Sequence, residues 1–447
     1  MQCLGIDIGS TSIKGAVLDL EQRTLGSPVS VPFPMPVSGL PGGWIEIDPF
    51  AVCAGVKTVL SELITRAPDA CRLLFSGQMG GLILMNDQAQ PLTNYLSWRD
   101  QRTLIANESG RSLLDEIHAA WNQAELLESL GNELQPGSTL ALLKWMQVHG
   151  TMSNEAIPTN IADFVIARLV GHPLPMHATH AIGCLDLNHD DWHRTALDCL
   201  GMASVRLPVL AREESCVGTT MIGDRRYELF GSYGDQQCAL RGAGLQNQEL
   251  SLNISTGSQV SRRVPVFQPG NYQSRKYFFG DYLDTVTHLP AGRSLNTLVE
   301  LLTELARAEG ITLENPWRTI QAKVMDVAST DLKVDLAFFR GPLGEQGSIR
   351  EITTENLNVG QLFHASFRAM ADNYYRIANR VGSVDWSGIV LSGGLTQTIP
   401  LLRRLIEERF PQPIRESIGE ETLLGLLDIA RTISTNHYGR HESTREA

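Results

Sequence analysis

The sequence predicts an α/β protein made of two related domains, and three observations support this fold class. The chain has 447 residues, more than one simple hydrophobic core usually holds. Strand-like and helix-like periodicities alternate along it, as they do in mixed α/β folds. A strand, a turn of small polar residues and a second strand open each half, at residues 3–20 and again at 250–264. We expect one domain over residues 1–228 and a second over 229–447.

The first half begins with β-like segments. Apolar runs predict strands at residues 3–8, 13–20, 29–33 and 72–75, with a polar turn at residues 9–12.

A helix should follow the third of these strands. Asp48 and Pro49 are typical of an N-cap followed by proline at the first helical position, and the helix should end near Arg66. One face of it is apolar, at Val52, Val56, Val59, Leu60 and Leu63. The stretch 104–170 is predicted to be mostly helical.

The second half partly repeats this order. Strands are predicted at residues 250–254, 260–264 and 388–391, and helices at Val359–Val381, Pro400–Arg409 and 421–433.

Composition and charge narrow the class of protein. Hydrophobic residues make up 43% and charged residues 19% of the chain, which is ordinary for a globular protein. A net charge of −12 is unfavourable for binding nucleic acid. Seven scattered cysteines without a CxxC pair indicate free thiols in a reducing compartment. No leader-like or membrane-spanning segment is evident, so we expect a cytoplasmic protein without membrane partners.

The turn after the first strand can bind phosphate. Asp7 ends an apolar run, and Gly9, Ser10, Thr11 and Ser12 offer backbone N–H groups and hydroxyls. Asp7 could hold Mg²⁺ through water, and Lys14 adds a positive charge. An ordinary hairpin turn, in which the same residue types are favoured, explains this motif equally well.

A second turn offers the same chemistry in the second half. It contains Ser255, Thr256 and Gly257. Two such turns can grip a triphosphate from both sides, so together they favour phosphate binding over two unrelated hairpins.

Asp235 is the candidate base. It follows Gly231 and Gly234 and precedes an expected helix, where its carboxylate could take the proton of a substrate hydroxyl during phosphoryl transfer. The motif alone is better explained as a helix N-cap.

Two further motifs are suited to small-molecule binding. Trp98, Asp100 and Arg102 combine a ring with charged groups that read the hydroxyls of a polyol, although a surface salt bridge beside a tryptophan is the simpler explanation. Gly393 and Gly394 follow a strand and would let a ribose or planar ring approach the backbone, although a plain turn explains them as well.

Taken together, these motifs resemble those of the FGGY carbohydrate kinases. Their order along the chain carries the resemblance: the first turn, Gly43 to Pro49 as a GW-x-E-x-DP element, Ser76 to Met79, Trp98-x-Asp100-x-Arg102, Asp163-Phe164, Gly234-Asp235, Ser255 to Gly257 and Ser392 to Gly394. The resemblance implies two actin-like (ribonuclease H-like) domains with an ATP cleft between them.

Within the family, Leu252 to Thr256 and Tyr277-Phe278 are similar to the sedoheptulokinase branch, with xylulokinases as near neighbours. Two positions depart from the family. Gly80 stands where the sugar loop often has histidine, and Pro290-Ala291-Gly292 stands where a Gly-Gly pair usually approaches the nucleotide.

The resemblance implies a role for each motif. Asp235 is the catalytic base, and it would share Mg²⁺ with Asp7. The ketose would contact Gln78, Met79, Trp98, Asp100 and Asp235. ATP would contact Asp7, Ser10, Thr11, Ser12, Lys14, Thr256, Gly257, Gly292, Gly393 and Gly394.

The expected reaction is ATP-dependent phosphorylation of a terminal hydroxyl of a small ketose, with sedoheptulose first and xylulose or another polyol as the alternative. Dimers are common in the family, so a homodimer is the assembly that the resemblance suggests. Two other classes stay open, an actin-like ATPase that phosphorylates no sugar and a sugar-sensing regulator that has lost kinase activity.

Overall fold

The computed structural model describes most of the chain. The described residues are 1–153, 155–211, 215–255, 257–382 and 386–442, with the backbone alone for 435–442.

The first half contains a large sheet, several short strand pairs and six helices in its described part. The strands are β1 (Gln2–Ile8), β2 (Ser12–Asp19), β3 (Thr24–Leu25), β4 (Val29–Pro32), β5 (Glu46–Ile47), β6 (Arg72–Gly77), β7 (Ile83–Met85), β8 (Tyr95–Leu96), β9 (Ile157–Thr159), β10 (Met176–His177), β11 (Leu185–Asp186), β12 (Asp191–Trp192), β13 (Leu210–Ala211), β14 (Cys216–Ile222) and β15 (Arg225–Gly234). The helices are α1 (Pro49–Arg66), α2 (Leu113–Gln123), α3 (Thr139–Val148), α4 (Ile161–Val170), α5 (Arg194–Cys199) and α6 (Asp235–Gly242).

The first sheet has the order β14-β15-β6-β1-β2-β3, with β4 also paired to β2. Its centre is parallel, because β6 runs parallel to both β1 and β15, whereas β1 and β2 form an antiparallel hairpin. The carboxyl ends of three parallel strands therefore lie side by side, which is where ligands bind in open α/β sheets.

Helix α1 confirms the prediction from its capping residues. Its bounds are Pro49–Arg66, and the Asp48 carboxylate accepts a hydrogen bond from the Phe50 N–H. The five apolar residues assigned to one face are all buried, as expected for an amphipathic helix packed on a sheet.

The prediction that residues 104–170 are mostly helical is wrong. In the described part of this stretch, α2, α3 and α4 together cover fewer than half of the residues, and long loops connect them. These loops are apolar because Leu130 and Ala156 join a separate hydrophobic cluster with Trp121 and Leu142. Their burial produced a helix-like pattern without helical backbone.

The second half repeats the arrangement around a second sheet. Its strands are β16 (Glu249–Asn253), β17 (Ser258–Val264), β18 (Gln273–Lys276), β19 (Tyr282–Leu289), β20 (Lys333–Asp335), β21 (Ser348–Arg350), β22 (Gly388–Ser392) and β23 (Ile414–Glu416). Its helices are α7 (Gly292–Ala308), α8 (Pro316–Met325), α9 (Val359–Val381), α10 (Gly394–Thr398), α11 (Pro400–Arg409) and α12 (Glu421–Glu442).

The second sheet has the order β18-β19-β17-β16-β22-β23. Strands β16 and β17 form an antiparallel hairpin, and β22 runs parallel to β16, just as β6 runs parallel to β1. The predicted repeat, a hairpin that opens each half, is therefore confirmed, and each hairpin also has a parallel strand beside it. Helices α9 and α11 have the predicted bounds, whereas α12 extends nine residues beyond Ile433.

The last helix packs on the first sheet as well as on its own half. Helix α12 lies against α6 and against β1, β2 and β6. Two glycines permit this approach: a Cβ on Gly242 would lie 1.9 Å from the Glu421 carbonyl oxygen, and a Cβ on Gly425 would lie 2.0 Å from that of Cys238. A shared hydrophobic cluster joins the two sheets, with Leu74 from one and Val390 from the other.

The expected boundary after residue 228 falls inside β15, and the first sheet continues to Gly234. Among the described residues, no helix combines the length and the apolar character needed to cross a membrane.

Candidate active site

Strand register brings two candidate residues, Asp7 and Asp235, to one edge of the first sheet. Asp7 on β1 pairs with Ser76 on β6, which in turn pairs with Tyr233 on β15. Asp235 begins α6 directly after β15. Since neighbouring strands lie about 4.8 Å apart, the backbones of Asp7 and Tyr233 are about 10 Å apart, with β6 between them, and Asp235 follows two residues after Tyr233.

Asp7 has the environment of a cation ligand. Its Oδ1 atom is buried and has no hydrogen-bond partner within the protein. Burial, together with the charge of Asp235, raises the pKa of Asp7 from 3.8 to about 7, whereas the charge of Lys14 opposes the shift. Burial disfavours the ionised form of this carboxyl, and a nearby positive ion would stabilise that form.

Asp235 is partly accessible at the start of α6. Its Oδ1 accepts a hydrogen bond of 2.8 Å from the Gln236 N–H, and Gly234 takes the N-cap position that the sequence suggested for Asp235. Burial raises the pKa of Asp235 from 3.8 to about 6, opposed by that hydrogen bond and by the charge of Arg275. Such a carboxyl is ionised at neutral pH and basic enough to accept a proton.

A hydrogen bond and a close side-chain contact fix Gly234, the residue before Asp235. The Gly234 N–H donates to the Thr179 hydroxyl over 3.0 Å, and that hydroxyl lies 2.9 Å from Nδ1 of His177. A Cβ on Gly234 would lie 2.5 Å from the Met79 sulfur, so only glycine lets Met79 pack here. These contacts hold both Asp235 and Met79 at the sheet edge.

A series of buried, hydrogen-bonded polar side chains stabilises β15, the strand that precedes Asp235. The Ser232 hydroxyl donates to Asp163 over 2.7 Å and lies 2.9 Å from Nε2 of His180. Because the hydroxyl proton is directed to the carboxylate, Nε2 of His180 must donate to the Ser232 oxygen. Burial raises the pKa of Asp163 to about 6 and lowers that of His180 to about 3, so the histidine is neutral.

The first predicted phosphate turn is a tight hairpin. The Gly9 N–H donates to the Ser12 carbonyl over 3.1 Å, and Thr11 is exposed at the tip. Ser10 lies beside it, partly exposed. The Lys14 ammonium, which was expected to face phosphate, lies 3.0 Å from the Glu420 carboxylate just before α12.

The second predicted phosphate turn connects β16 and β17. Thr256 lies outside the described residues, and Gly257 is exposed with open space around it. Ser255 is held by its hydroxyl, which donates to Asn253 over 2.9 Å, and by its N–H, which donates to Ser258 over 3.1 Å. The turn is thus ordered by its own side chains.

Three turns meet at this edge of the second sheet. The Gly292 N–H at the start of α7 donates to the Ser255 carbonyl over 3.3 Å. Gly393 has φ of +91°, and a Cβ there would lie 2.4 Å from the Ile254 carbonyl oxygen, so glycine is required. Gly394 begins α10 with nothing within 4 Å of its Cβ position. The structure therefore brings Ser255, Gly292 and Gly393 together.

Gln78 and Trp98 lie near the first sheet's edge. The Gln78 side chain is buried, donates to the Gly9 carbonyl over 3.4 Å and accepts from the Tyr95 hydroxyl over 3.3 Å. Trp98 is partly exposed. Gly80 has φ of +74°, with its Cβ position 3.3 Å from the Trp98 Cβ, so a histidine here would be strained and crowded.

Asp100 is held in a buried ion pair. It is fully buried, both its oxygens accept hydrogen bonds from Arg102, and Oδ2 also accepts one of 2.7 Å from the Ile45 N–H. The Arg102 guanidinium packs against the rings of Trp44 and Trp145, at 4.1 and 4.9 Å from their centroids, and the two rings contact each other edge to face. In this arrangement the carboxylate of Asp100 faces protein donors, not an open cavity.

Three residues near Asp235 or Trp98 were not predicted from the sequence. Buried Arg275 donates to the side chains of Gln236 and Glu133, and Glu133 comes from the first half of the chain. His288 lies with its ring centroid 6.4 Å from that of Trp98. No local pattern could reveal these residues, because each acquires its role from a partner more than a hundred residues away.

The identity of the chain follows from its first 234 residues. The profile of the N-terminal domain of the FGGY family of carbohydrate kinases matches residues 2–234. The chain belongs to this family. The match ends at the last residue of β15, where the first sheet is complete, and it makes the protein an ATP-dependent sugar phosphotransferase.

Individual relatives of this FGGY kinase are distant. Mouse (Mus musculus) sedoheptulokinase is 23% identical over 92% of this chain and 93% of its own length. The xylulose kinase of Lactococcus lactis is 26% identical over 66% of this chain and 60% of its own length. A solved structure of gluconate kinase from Lactobacillus acidophilus superposes with a TM-score of 0.83 at 18% identity, covering 96% and 89% of the two chains. The predicted two-domain actin-like fold is therefore confirmed.

Proposed function

We propose that this FGGY kinase transfers the γ-phosphoryl group of ATP to a terminal hydroxyl of a small ketose, with sedoheptulose the preferred acceptor and xylulose the alternative. One observation supports this reaction most directly. Asp235 combines partial exposure with a pKa raised to about 6, and it lies beside Asp7 at the edge of the first sheet. A base near this pKa is well matched to neutral pH.

Asp235 acts as the base. Its carboxylate accepts the proton of the attacking hydroxyl while the hydroxyl oxygen approaches the γ-phosphorus in line. The hydrogen bond from Gln236 and the fixed peptide of Gly234 orient it, so little motion is needed when the acceptor binds.

The nucleotide lies between the two sheets. Its phosphates bind backbone and hydroxyl groups of Ser10, Thr11 and Ser12 in the first half and Gly257 in the second. The sequence adds Thr256, which lies outside the described residues. The adenosine approaches Gly292, Gly393 and Gly394. Support comes from the meeting of Gly292 and Gly393 at the turn of Ser255. Lys14 reaches phosphate when it leaves Glu420.

A magnesium ion fits the carboxylates of this site. Asp7 has a buried oxygen atom without a partner, and the charge of Asp235 acts on it. Asp7 and Asp235 would hold Mg²⁺ through water, because this ion retains much of its hydration in proteins. When bound, the ion neutralises charge that develops on the phosphoryl oxygens.

The ketose binds on the first half. Met79 packs against Gly234, one residue from the base, and Trp98 offers a partly exposed ring for the C–H face of a sugar. Gln78 contacts the ketose after releasing Tyr95. Asp100, which was expected to contact the sugar, contributes by holding Arg102 and Ile45.

The deciding experiment is a coupled ADP-release assay over sedoheptulose, xylulose, ribulose, fructose and glycerol, with ATP alone as the reference. The proposal expects strong stimulation by one ketose and a phosphorylated product with its terminal carbon shifted in ¹³C NMR. Slow hydrolysis that is independent of sugar would indicate an actin-like ATPase. Sugar-dependent thermal stabilisation without a product would indicate a sensing regulator.

Two further expectations belong to this proposal. All seven cysteines are free thiols, which supports a reducing cytoplasmic location. A homodimer is the proposed assembly, testable by light scattering of the purified protein.

A further inference from the structure

His288 lies beside Trp98, one of the predicted sugar residues. It belongs to β19 in the second half, and its ring centroid is 6.4 Å from that of Trp98 in the first half, with the planes tilted by 55°. The side chain is exposed. The two rings therefore flank the same space from opposite halves of the chain.

Two backbone features redirect the side chain of His288, a β-bulge and a positive φ angle. Between Val286 and Leu289, β19 has one residue more than the stretch of β17 that it faces, which is a β-bulge. His288 has φ of +60°, a left-handed conformation that is uncommon for residues other than glycine. Bulges and strained residues of this kind concentrate at functional sites, where they redirect a side chain.

A chain of hydrogen bonds fixes which ring nitrogen carries the proton. The Thr287 hydroxyl lies 2.8 Å from Oε1 of Gln273, which can only accept, so the hydroxyl proton is directed there. The same hydroxyl oxygen lies 2.9 Å from Nδ1 of His288 and must therefore accept from an Nδ1–H group. His288 is left with an Nε2 lone pair.

The orientation of Gln273 is itself determined by its neighbours. Its Oε1 also accepts from the Thr287 N–H over 3.2 Å, and its Nε2 donates to the buried Glu133 carboxylate over 2.9 Å. Glu133 is paired with Arg275. The tautomer of His288 is thus set by a relay that begins in the first half of the chain.

We propose that His288 is a specificity-determining residue of the acceptor site and that its Nε2 atom accepts a hydrogen bond from one hydroxyl of the ketose stacked on Trp98. This inference rests on the proposed function. A lone pair at Nε2 selects an O–H donor at that carbon and disfavours a deoxy or carboxylate group there. Desolvation and the charges of Arg275 and Arg293 lower the pKa of His288, which keeps the ring neutral at pH 7.

The test compares His288→Ala and His288→Gln with the wild-type protein. Binding of sedoheptulose and of xylulose is measured by calorimetry, and phosphorylation by coupled ADP release. His288→Ala should raise the Kd and KM of the accepted ketose by about 2–12-fold, the usual worth of one hydrogen bond, with the KM of ATP and the melting temperature little changed. His288→Gln, which retains an acceptor, should lose less.

Monodeoxy ketoses sharpen the test. Removing the hydroxyl that faces His288 should weaken binding to the wild-type protein and have little further effect in His288→Ala, whereas every other deoxy position should weaken both proteins alike. His172→Ala is the matched control, because His172 is an exposed histidine beyond the end of α4.

The possible outcomes distinguish the role of His288 from the proposed kinase reaction. If a ketose is phosphorylated and its Kd and KM are the same in His288→Ala, the role of His288 is refuted and the kinase reaction stands. If ketoses bind in a His288-dependent way without being phosphorylated, the role of His288 is supported and the proposed reaction is refuted.

Discussion

Asp7 and Asp235 follow one another across the edge of the first sheet, separated only by β6, and the charge of Asp235 raises the pKa of Asp7. The two carboxyls differ in what surrounds them. The nearby charge of Arg275 lowers the pKa of Asp235, whereas the buried Oδ1 atom of Asp7 accepts no hydrogen bond from the protein. These surroundings support the proposed roles of Asp235 as the base and of Asp7 as a cation ligand.

Replacing Asp235 by Asn removes the base. We expect the turnover of the accepted ketose to fall by about 10²–10⁴-fold, with the Kd of ATP nearly unchanged. Single-turnover kinetics and nucleotide calorimetry measure the two quantities. Full activity in Asp235→Asn would exclude the assigned role.

The pH profile of the wild-type enzyme should report the same group. Below its pKa of about 6, Asp235 is protonated and cannot accept the hydroxyl proton. The value of kcat/KM for the ketose should therefore decrease as the pH falls through about 6. A profile that is flat from pH 8 to pH 5 would contradict this assignment.

Asp7→Asn should lower activity and raise stability. Because the folded-state pKa of Asp7 is about 7, against an ordinary 3.8, the folded state loses stability relative to the unfolded state as the pH rises through this window. In metal-free buffer at pH 8 the variant should gain about 1–3 kcal/mol in the free energy of unfolding. The gain should disappear near pH 4, which denaturant titrations at both pH values can measure.

Arg275, a residue of the second half, should affect the pH profile because its charge lowers the pKa of Asp235. Arg275→Gln alone leaves Glu133 buried without its partner, which should cost about 3–5 kcal/mol of stability. The double change Glu133→Gln with Arg275→Gln avoids that cost, and the acid limb of its kcat/KM profile should move to higher pH, because the charge that lowers the pKa of Asp235 is gone. The control is Arg263→Gln, which removes an arginine paired with Asp281 and should leave the acid limb in place.

Gly393 and Gly394 offer a matched pair of substitutions. Gly393→Ala should lower the melting temperature, because its Cβ would lie 2.4 Å from a backbone oxygen at a φ of +91°. Gly394→Ala meets open space and should leave the melting temperature unchanged while raising the KM of ATP several-fold. An unchanged KM of ATP in Gly394→Ala would argue against an adenosine site at this turn.

Asp100→Asn tests whether this carboxylate acts on the sugar or on the fold. Since both its oxygens hold Arg102 in a buried pair, we expect a loss of about 3–5 kcal/mol in stability. The KM of the ketose should change little at temperatures where the variant is folded. A large increase in KM without a change in melting temperature would indicate direct sugar contact instead.

Sequence reasoning succeeded where structure is local. The bounds of α1 followed from Asp48 and Pro49, whose capping chemistry acts within one helical turn. The two hairpins and the flanking strands β6 and β22 followed from apolar runs that end in glycine and small polar residues. These elements bring Asp7, Gln78 and Gly234 to the edge of one sheet.

Contacts between distant segments could not be predicted from local patterns in the sequence. His288 acquires its orientation from a bulge opposite β17, and its tautomer from Glu133, 155 positions earlier in the chain. The pairing of Lys14 with Glu420 and the burial of Asp100 depend likewise on tertiary packing. Within the motif around Trp98, Asp100 and Arg102 form a buried ion pair beside Trp44, which the sequence alone could not show.

Helix α12 begins 344 positions after the end of β6 and yet covers β1, β2 and β6. The apolar side of the first sheet that α12 covers therefore stays uncovered during biosynthesis until α12 itself has been made. Synthesis of α12, not emergence of residue 234, is the event that lets this part of the core close.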